Sequence, residues 1–239
     1  MNITHSKILV MGGSSGIGLA AAKALATLGA NVTITARHAD KLADAVHGAG
    51  VTLRSEVVDG GEVEAVRAFF QRFGAFDHLV LTLSGAKGAG ALRELDLATL
   101  RAGFDAKFFA QFLTAREALG TLARDGSITF VSAGSARSWL PGTAGLAAIN
   151  GAIEAMVRPL ARELKPMRVN AVSPGVIETS WWNSLPDDQR SETLARFAAL
   201  SLVGRNGSPE EAAAAIVYAV TNGFVTGTIL EVDGGLRSA

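Results

Sequence analysis

The feature that most constrains the fold of this 239-residue chain lies near its start, where Ile8, Leu9 and Val10 run into Met11, Gly12, Gly13, Ser14, Ser15, Gly16, Ile17 and Gly18. Each of three glycines can serve a separate purpose. Gly12 allows a tight turn after a strand, Gly16 lets backbone approach a pyrophosphate, and Gly18 lets the following helix pack close to the sheet. The N-terminus of that helix offers unpaired N–H groups and a positive dipole end to phosphates. Ordinary turn glycines would show the same spacing. Here, however, the turn comes after an apolar run, opens an alanine-rich stretch and precedes a second apolar run ending at Ala36 and Arg37, which is the setting a nucleotide cradle needs.

Short β-type runs alternate with longer helical patterns along the rest of the chain. Strands are expected over 7–11, 32–36, 52–58, 78–83, 127–132, 168–173 and 228–232, and helices over 19–28, 63–73, 104–119, 147–164 and 209–220. Such alternation predicts an α/β chain with a parallel sheet covered by helices on both faces. A single domain over 1–239 is expected, since no composition break, linker or repeat interrupts the pattern. Residues 174–204 form the one extended irregular region, with a helical stretch over 185–200, and a lid is expected at about 180–204.

Composition narrows the partners. Lys plus Arg and Asp plus Glu both number 22, so no net field attracts nucleic acid or an anionic membrane surface. Cysteine is absent and the four histidines, His5, His38, His47 and His78, lack ligand spacing, so no metal is expected. No apolar run approaches the roughly 20 residues of a membrane span, and the start lacks a basic segment leading into an apolar one. A soluble cytoplasmic protein acting on a small molecule is expected.

The end of the second strand selects the cofactor. An acidic residue there would accept hydrogen bonds from a ribose 2′-OH, whereas an arginine pairs with a 2′-phosphate. This chain has Arg37, which favours NADP(H), with Ser14 and Ser15 as neutral phosphate donors; a solvated surface arginine is the alternative. Asp59, after the third strand, is placed either to touch adenine or to serve as turn chemistry with Gly60.

Over essentially its whole length the chain resembles the short-chain dehydrogenase/reductase family. The 12–18 turn, the segment Arg168, Val169, Asn170, Ala171, Val172, Ser173, Pro174, Gly175, Val176, Ile177, Glu178, Thr179 and the closing run 226–235 carry the likeness. The resemblance implies a Rossmann-type, doubly wound three-layer αβα fold and an NADP(H)-dependent oxidoreductase. Pro174, Gly175, Ile177 and Thr179 would hold the nicotinamide carboxamide, and Thr82, Leu83, Ser84 and Gly85 would loosely represent the family's turn after the fourth strand. Asn170 would be structural, and a homotetramer or homodimer would form with the final strand at a subunit interface.

The resemblance also locates departures. The family's tyrosine and lysine fall on Leu146 and Asn150, its serine on Ala133 and its asparagine on Lys107. Candidates for the missing acid–base work are Lys107, Ser132 and Asn150. A partly desolvated Lys107 can donate a proton, or it can pair with Asp105 or another carboxylate. Ser132 should point away from the side that residue 133 faces. Tyr218, the one tyrosine, belongs to core or interface. Trp139, Leu140, Leu146, Trp181 and Trp182 would line an apolar pocket, although the two adjacent tryptophans can also simply pack the lid. Two functions are compatible with these residues: an oxidoreductase with a non-standard proton donor, acting on C=N or activated C=C bonds of an apolar substrate, or a catalytically silent NADPH-binding sensor or scaffold.

Overall fold

In the computed structural model, residues 2–238 are described. Seven strands, β1 (Lys7–Met11), β2 (Asn31–Ala36), β3 (Arg54–Val57), β4 (Phe76–Leu81), β5 (Leu122–Val131), β6 (Arg168–Pro174) and β7 (Ile229–Val232), form one sheet. Their order is β3-β2-β1-β4-β5-β6-β7 and every adjacent pair is parallel. The helices are α1 (Gly16–Thr27), α2 (Ala39–His47), α3 (Val63–Phe73), α4 (Leu97–Phe104), α5 (Ala110–Ala118), α6 (Ala144–Glu163), α7 (Asp187–Leu200) and α8 (Pro209–Thr221).

The two-residue period of the strands divides the core. Ile8, Val10, Val32, Ile34, Val80 and Val172 point to one face, where α1, α2 and α8 contribute Ala21, Leu25, Leu42 and Ile216. Leu9, Met11, Leu79, Leu81, Phe130 and Val169 point to the other, against Phe69 of α3, Ala115 of α5 and Ile153 of α6. Central strands buried on both sides read as continuous apolar runs, as parallel sheets require. The edge strands β3 and β7 are instead polar or half-exposed.

Three elements differ from the sequence expectation. Helix α2 lies outside the expected set; its sequence ADKLADAVH is polar except on the side carrying Leu42 and Ala45. The predicted helix over 104–119 begins earlier, at Leu97 behind an Asp96 cap, and contains a π-helical turn at Asp105–Phe109 before α5. Strand β5 starts at Leu122, five residues before the expected 127. The 174–204 region holds a short 3₁₀ turn, Ser180–Ser184, and then α7, in keeping with a helix over 185–200.

From β1 the chain winds outward through β2 and β3, then returns to place β4 on the opposite side of β1. Connections therefore diverge at the carboxyl ends of β1 and β4, opening a crevice at this switch point.

Candidate functional site

A cleft of about 830 Å³ occupies that crevice, running from the glycine turn across the sheet ends to the tryptophans of the 3₁₀ turn. At its first end, Gly12 has φ +88° and Gly16 φ +51°, backbone conformations that side chains oppose. A Cβ on Gly18 would meet the Gly12 carbonyl and lie 2.5 Å from Thr82 Oγ1, so the close approach expected between α1 and the turn is real. Thr82, which the sequence places only in a loose turn, fixes this geometry. Its hydroxyl donates to the carbonyls of Met11 (2.9 Å) and Gly12 (3.0 Å), tying the end of β4 to the turn.

Ser15 caps α1 through backbone only, leaving its hydroxyl free of a cap bond, and Ser14 lines the cleft beside it. Arg37 stands at the end of β2 on the cleft wall, exposed and with no ion pair among the described residues. His38 and Lys41, at the start of α2, line the same end, and Lys41 adds a second positive charge there. Neither was singled out from the sequence, although His38 directly adjoins Arg37. Asp59 lines the cleft, and its Oδ1 accepts from Gly61 N at 2.9 Å, which is the turn role considered for it.

The opposite wall comes from β6 and the segment 175–182 after it. Gly175 packs so tightly on β7 that a Cβ would lie 2.7 Å from Asp233 Cα. Pro174, Gly175, Ile177 and Thr179 all reach the cleft, together with Ser84 and Gly85 from the β4 side. Trp182 Nε1 donates to the Ile177 carbonyl (2.9 Å), whereas Trp181 Nε1 reaches across to the Gly85 carbonyl (3.3 Å). The two indoles meet edge to face at 4.8 Å, so they pack each other and line the cleft at once. Trp139, Leu140 and Leu146 complete the apolar end; Trp139 remains 60% exposed at the mouth.

Lys107 supplies charge in this apolar end. The π-helical turn carries it, and its Nζ donates to the Ser132 carbonyl at 2.9 Å rather than to Asp105. Burial pushes its amine down from 10.5 to about 8, opposed by attraction to Glu154. Ala133 and Leu146 leave this floor without a hydroxyl or phenol of their own.

The Ser132 hydroxyl points as strand alternation predicts, which removes it from the candidates for acid–base work. It donates to Glu154 Oε1 (2.9 Å), away from the cleft, so the carbonyl of Ser132 rather than the hydroxyl faces Lys107. Strand alternation is the reason, as residue 133 faces the other way. Asn150 is buried and donates to Ser135 Oγ (3.0 Å) and the Leu146 carbonyl (2.9 Å), while its Oδ1 has no partner among the described residues. Tyr218 lies on α8 outside the cleft and is 46% exposed, so it is no part of the monomer core.

Among the described residues there is no cluster of His, Asp and Glu suited to a metal, and no helix long and apolar enough to cross a membrane. The cleft thus joins a glycine turn suited to phosphates to a mostly apolar end, with the Lys107 amine held beside the Ser132 carbonyl.

Comparison with known proteins agrees with this fold. A family profile described as enoyl-(acyl carrier protein) reductase matches residues 12–237. The cis-4-hydroxycyclohexanecarboxylate dehydrogenase of Sinomonas cyclohexanicum is 36% identical over 244 residues, covering 95% of this chain and 94% of its own. The 3-oxoacyl-(acyl-carrier-protein) reductase FabG of Vibrio cholerae is 30% identical over 251 residues and 99% of both chains. A small-chain dehydrogenase solved in complex with NADPH superposes with a TM-score of 0.86 at 31% identity, covering 98% of this chain and 100% of that one.

Proposed function

The chain belongs to the short-chain dehydrogenase/reductase family, and from that premise we propose that it is an NADP(H)-dependent oxidoreductase in which Lys107 replaces the usual proton donor. Its substrate is a small apolar molecule with a C=N or activated C=C bond. Lys107 carries this proposal: it is the amine at the cleft floor where the family positions for tyrosine and serine hold Leu146 and Ala133.

The residues present fit the dinucleotide. The glycine turn makes room for a pyrophosphate at the α1 N-terminus, and Arg37, with Lys41 and His38, supports a 2′-phosphate. The unpartnered Asn150 Oδ1 is an acceptor suited to a ribose hydroxyl. Pro174, Gly175, Ile177 and Thr179 would hold the carboxamide end. The family cofactor, when bound, supplies hydride.

The protein's part is to manage the charge that hydride transfer leaves on the substrate. As negative charge builds on the carbonyl oxygen of an enone, the Lys107 ammonium would donate a proton to that oxygen, and the enol so formed would take its α-carbon proton from water and release the one on oxygen. Water can then return the proton to the amine. A protonated Lys107 repels an already cationic iminium, so of the two bond types the activated C=C is the better match. Trp181, Trp182 and Leu146 keep water from the reacting atoms. The segment 180–204 acts as a lid, with Trp181 bridging to Gly85 in the closed position. Assembly into a homotetramer or homodimer accompanies this function; Phe109 and Phe112, 53% and 42% exposed on the π turn and α5, are apolar surface available to a second copy.

A silent NADPH sensor is the second reading, favoured by the fact that Lys107 is already engaged with the Ser132 carbonyl. NADPH oxidation with a panel of enones, cyclic imines and ketones separates the two. Turnover of an enone supports the reductase; NADPH binding without turnover of any member supports the sensor; rapid plain-ketone turnover would contradict a non-standard donor.

A further inference from the structure

We propose that Glu154 is a positioning residue for Lys107, its carboxylate held behind the cleft floor by Ser132 and Ser173 so that its charge steadies the lysine ammonium at the reacting end of the cleft. This rests on the reading of Lys107 as proton donor, but its geometry can be tested apart from catalysis. Glu154 lies on α6 and is only 8% exposed. A buried carboxylate needs hydrogen bonds and countercharge, and this one has both. Its Oε1 accepts from Ser132 Oγ (2.9 Å) and Ser173 Oγ (2.7 Å), and Arg137 Nε lies 3.3 Å from its Oε2.

Ser132 joins the two charges. Its hydroxyl bonds the carboxylate while its carbonyl accepts from Lys107 Nζ at 2.9 Å, so one residue at the end of β5 sets both positions. The bonds from Ser132 and Ser173 anchor Glu154 on the side away from substrate, where its attraction for Lys107 operates through protein rather than through water. Arg137, half-exposed and also paired with Glu231 at 2.7 Å, draws on the same carboxylate from the outside.

The charged groups around Lys107 define the expected signs. Glu154, on α6, is linked to it through Ser132, with Arg137 behind from the turn after β5; Asp105 lies on its own π turn, and Lys87 and Arg237 line the cleft. Burial lowers the amine to about 8 and Glu154 opposes that fall. Neutralising Glu154 should therefore ease loss of the lysine proton. Neutralising Arg137 should do the reverse, since it leaves the pull of Glu154 unshielded.

The test is pH-dependent acetic anhydride labelling of the whole protein, with Lys107 tracked by peptide mass spectrometry and no nucleotide or substrate added. Wild type should half-label near pH 8. Glu154→Gln, which keeps an acceptor oxygen for the two serines, should shift that midpoint down by about one pH unit, and Arg137→Gln should shift it up by a smaller amount. Unchanged midpoints in folded variants would overturn the proposal. Should Glu154→Gln fail to fold, Arg137→Gln decides: an upward shift supports the coupling and none refutes it. Opposite shifts in a protein that turns over no substrate would leave the coupling standing and remove the catalytic reading instead.

Discussion

Arg37, Lys107 and His78 show how differently single side chains reveal themselves. Arg37 was legible because its place after the second strand, more than its charge, gives it meaning, and the structure leaves it on the cleft wall with no ion pair among the described residues. Arg37→Ala should weaken NADPH binding by about 10- to 100-fold, the range of a lost charge-assisted contact, and leave NADH nearly unaffected. Calorimetric titration with both nucleotides checks this, and equal losses would argue against a 2′-phosphate contact. Lys107 was visible as a residue type at a useful position, but its bond to the Ser132 carbonyl was not, because that depends on a strand 25 residues away in sequence. His78 gave no signal of its own. It is buried at the other end of the sheet, bonded to Ser127 Oγ at 2.9 Å, and lowered from 6.5 to about 4 by burial and Arg168, against the opposing pull of Asp77 and Asp125. The unfolded chain binds this proton below pH 6.5 while the folded one resists it until about 4, so stability is present above 6.5 and falls as pH drops through that window. The loss is up to about 3 kcal/mol. Urea titrations from pH 7 to 4 should show a steeper acid loss in wild type than in His78→Gln; parallel losses would contradict it.

Among the elements, strands and glycine turn were the most readable, because apolar runs of strand length between alanine-rich stretches leave few alternatives. Gly18 illustrates why the turn was secure. With the Gly12 carbonyl and Thr82 Oγ1 occupying the space of a Cβ, Gly18→Ala must push α1 away from the turn. A loss of about 2 kcal/mol or more in unfolding free energy is expected, together with loss of nucleotide binding. Thermal unfolding and titration read the two effects, and a variant normal in both would contradict the close packing. The π turn was not readable. The run Phe104 to Phe112 has helical character throughout, and nothing local announces a wider turn there. Helix α2 escaped because its apolar face is narrow, with Leu42 and Ala45 alone fully buried. The 174–204 segment was legible as irregular sequence, while the indole bridge from Trp181 to Gly85 was a tertiary fact.

At the scale of the whole molecule, the alternation of strands and helices led directly to a doubly wound parallel sheet, and the strand order then placed a crevice at the β1–β4 divergence. Sequence could thus say where a ligand would lie before it could say which groups would meet it. The exposed Phe109 and Phe112 give the molecule an apolar surface of its own, and sedimentation should find an assembly of two or four copies; a monomer at micromolar concentration would contradict that part of the reading.

In the proposed reaction a lysine on a π turn performs the work usually given to a tyrosine. Its most direct test is the pH profile of NADPH oxidation with a cyclic enone, for wild type and Lys107→Met, in samples whose NADPH affinity has been matched by titration. Catalysis needs the protonated amine, so wild-type kcat should be level below and fall through about pH 8, and Lys107→Met should lose about 10²- to 10⁴-fold and the pH step with it. A Lys107→Met enzyme as fast as wild type, or a wild type that binds NADPH and reduces nothing at any pH, would rule Lys107 out as the proton donor.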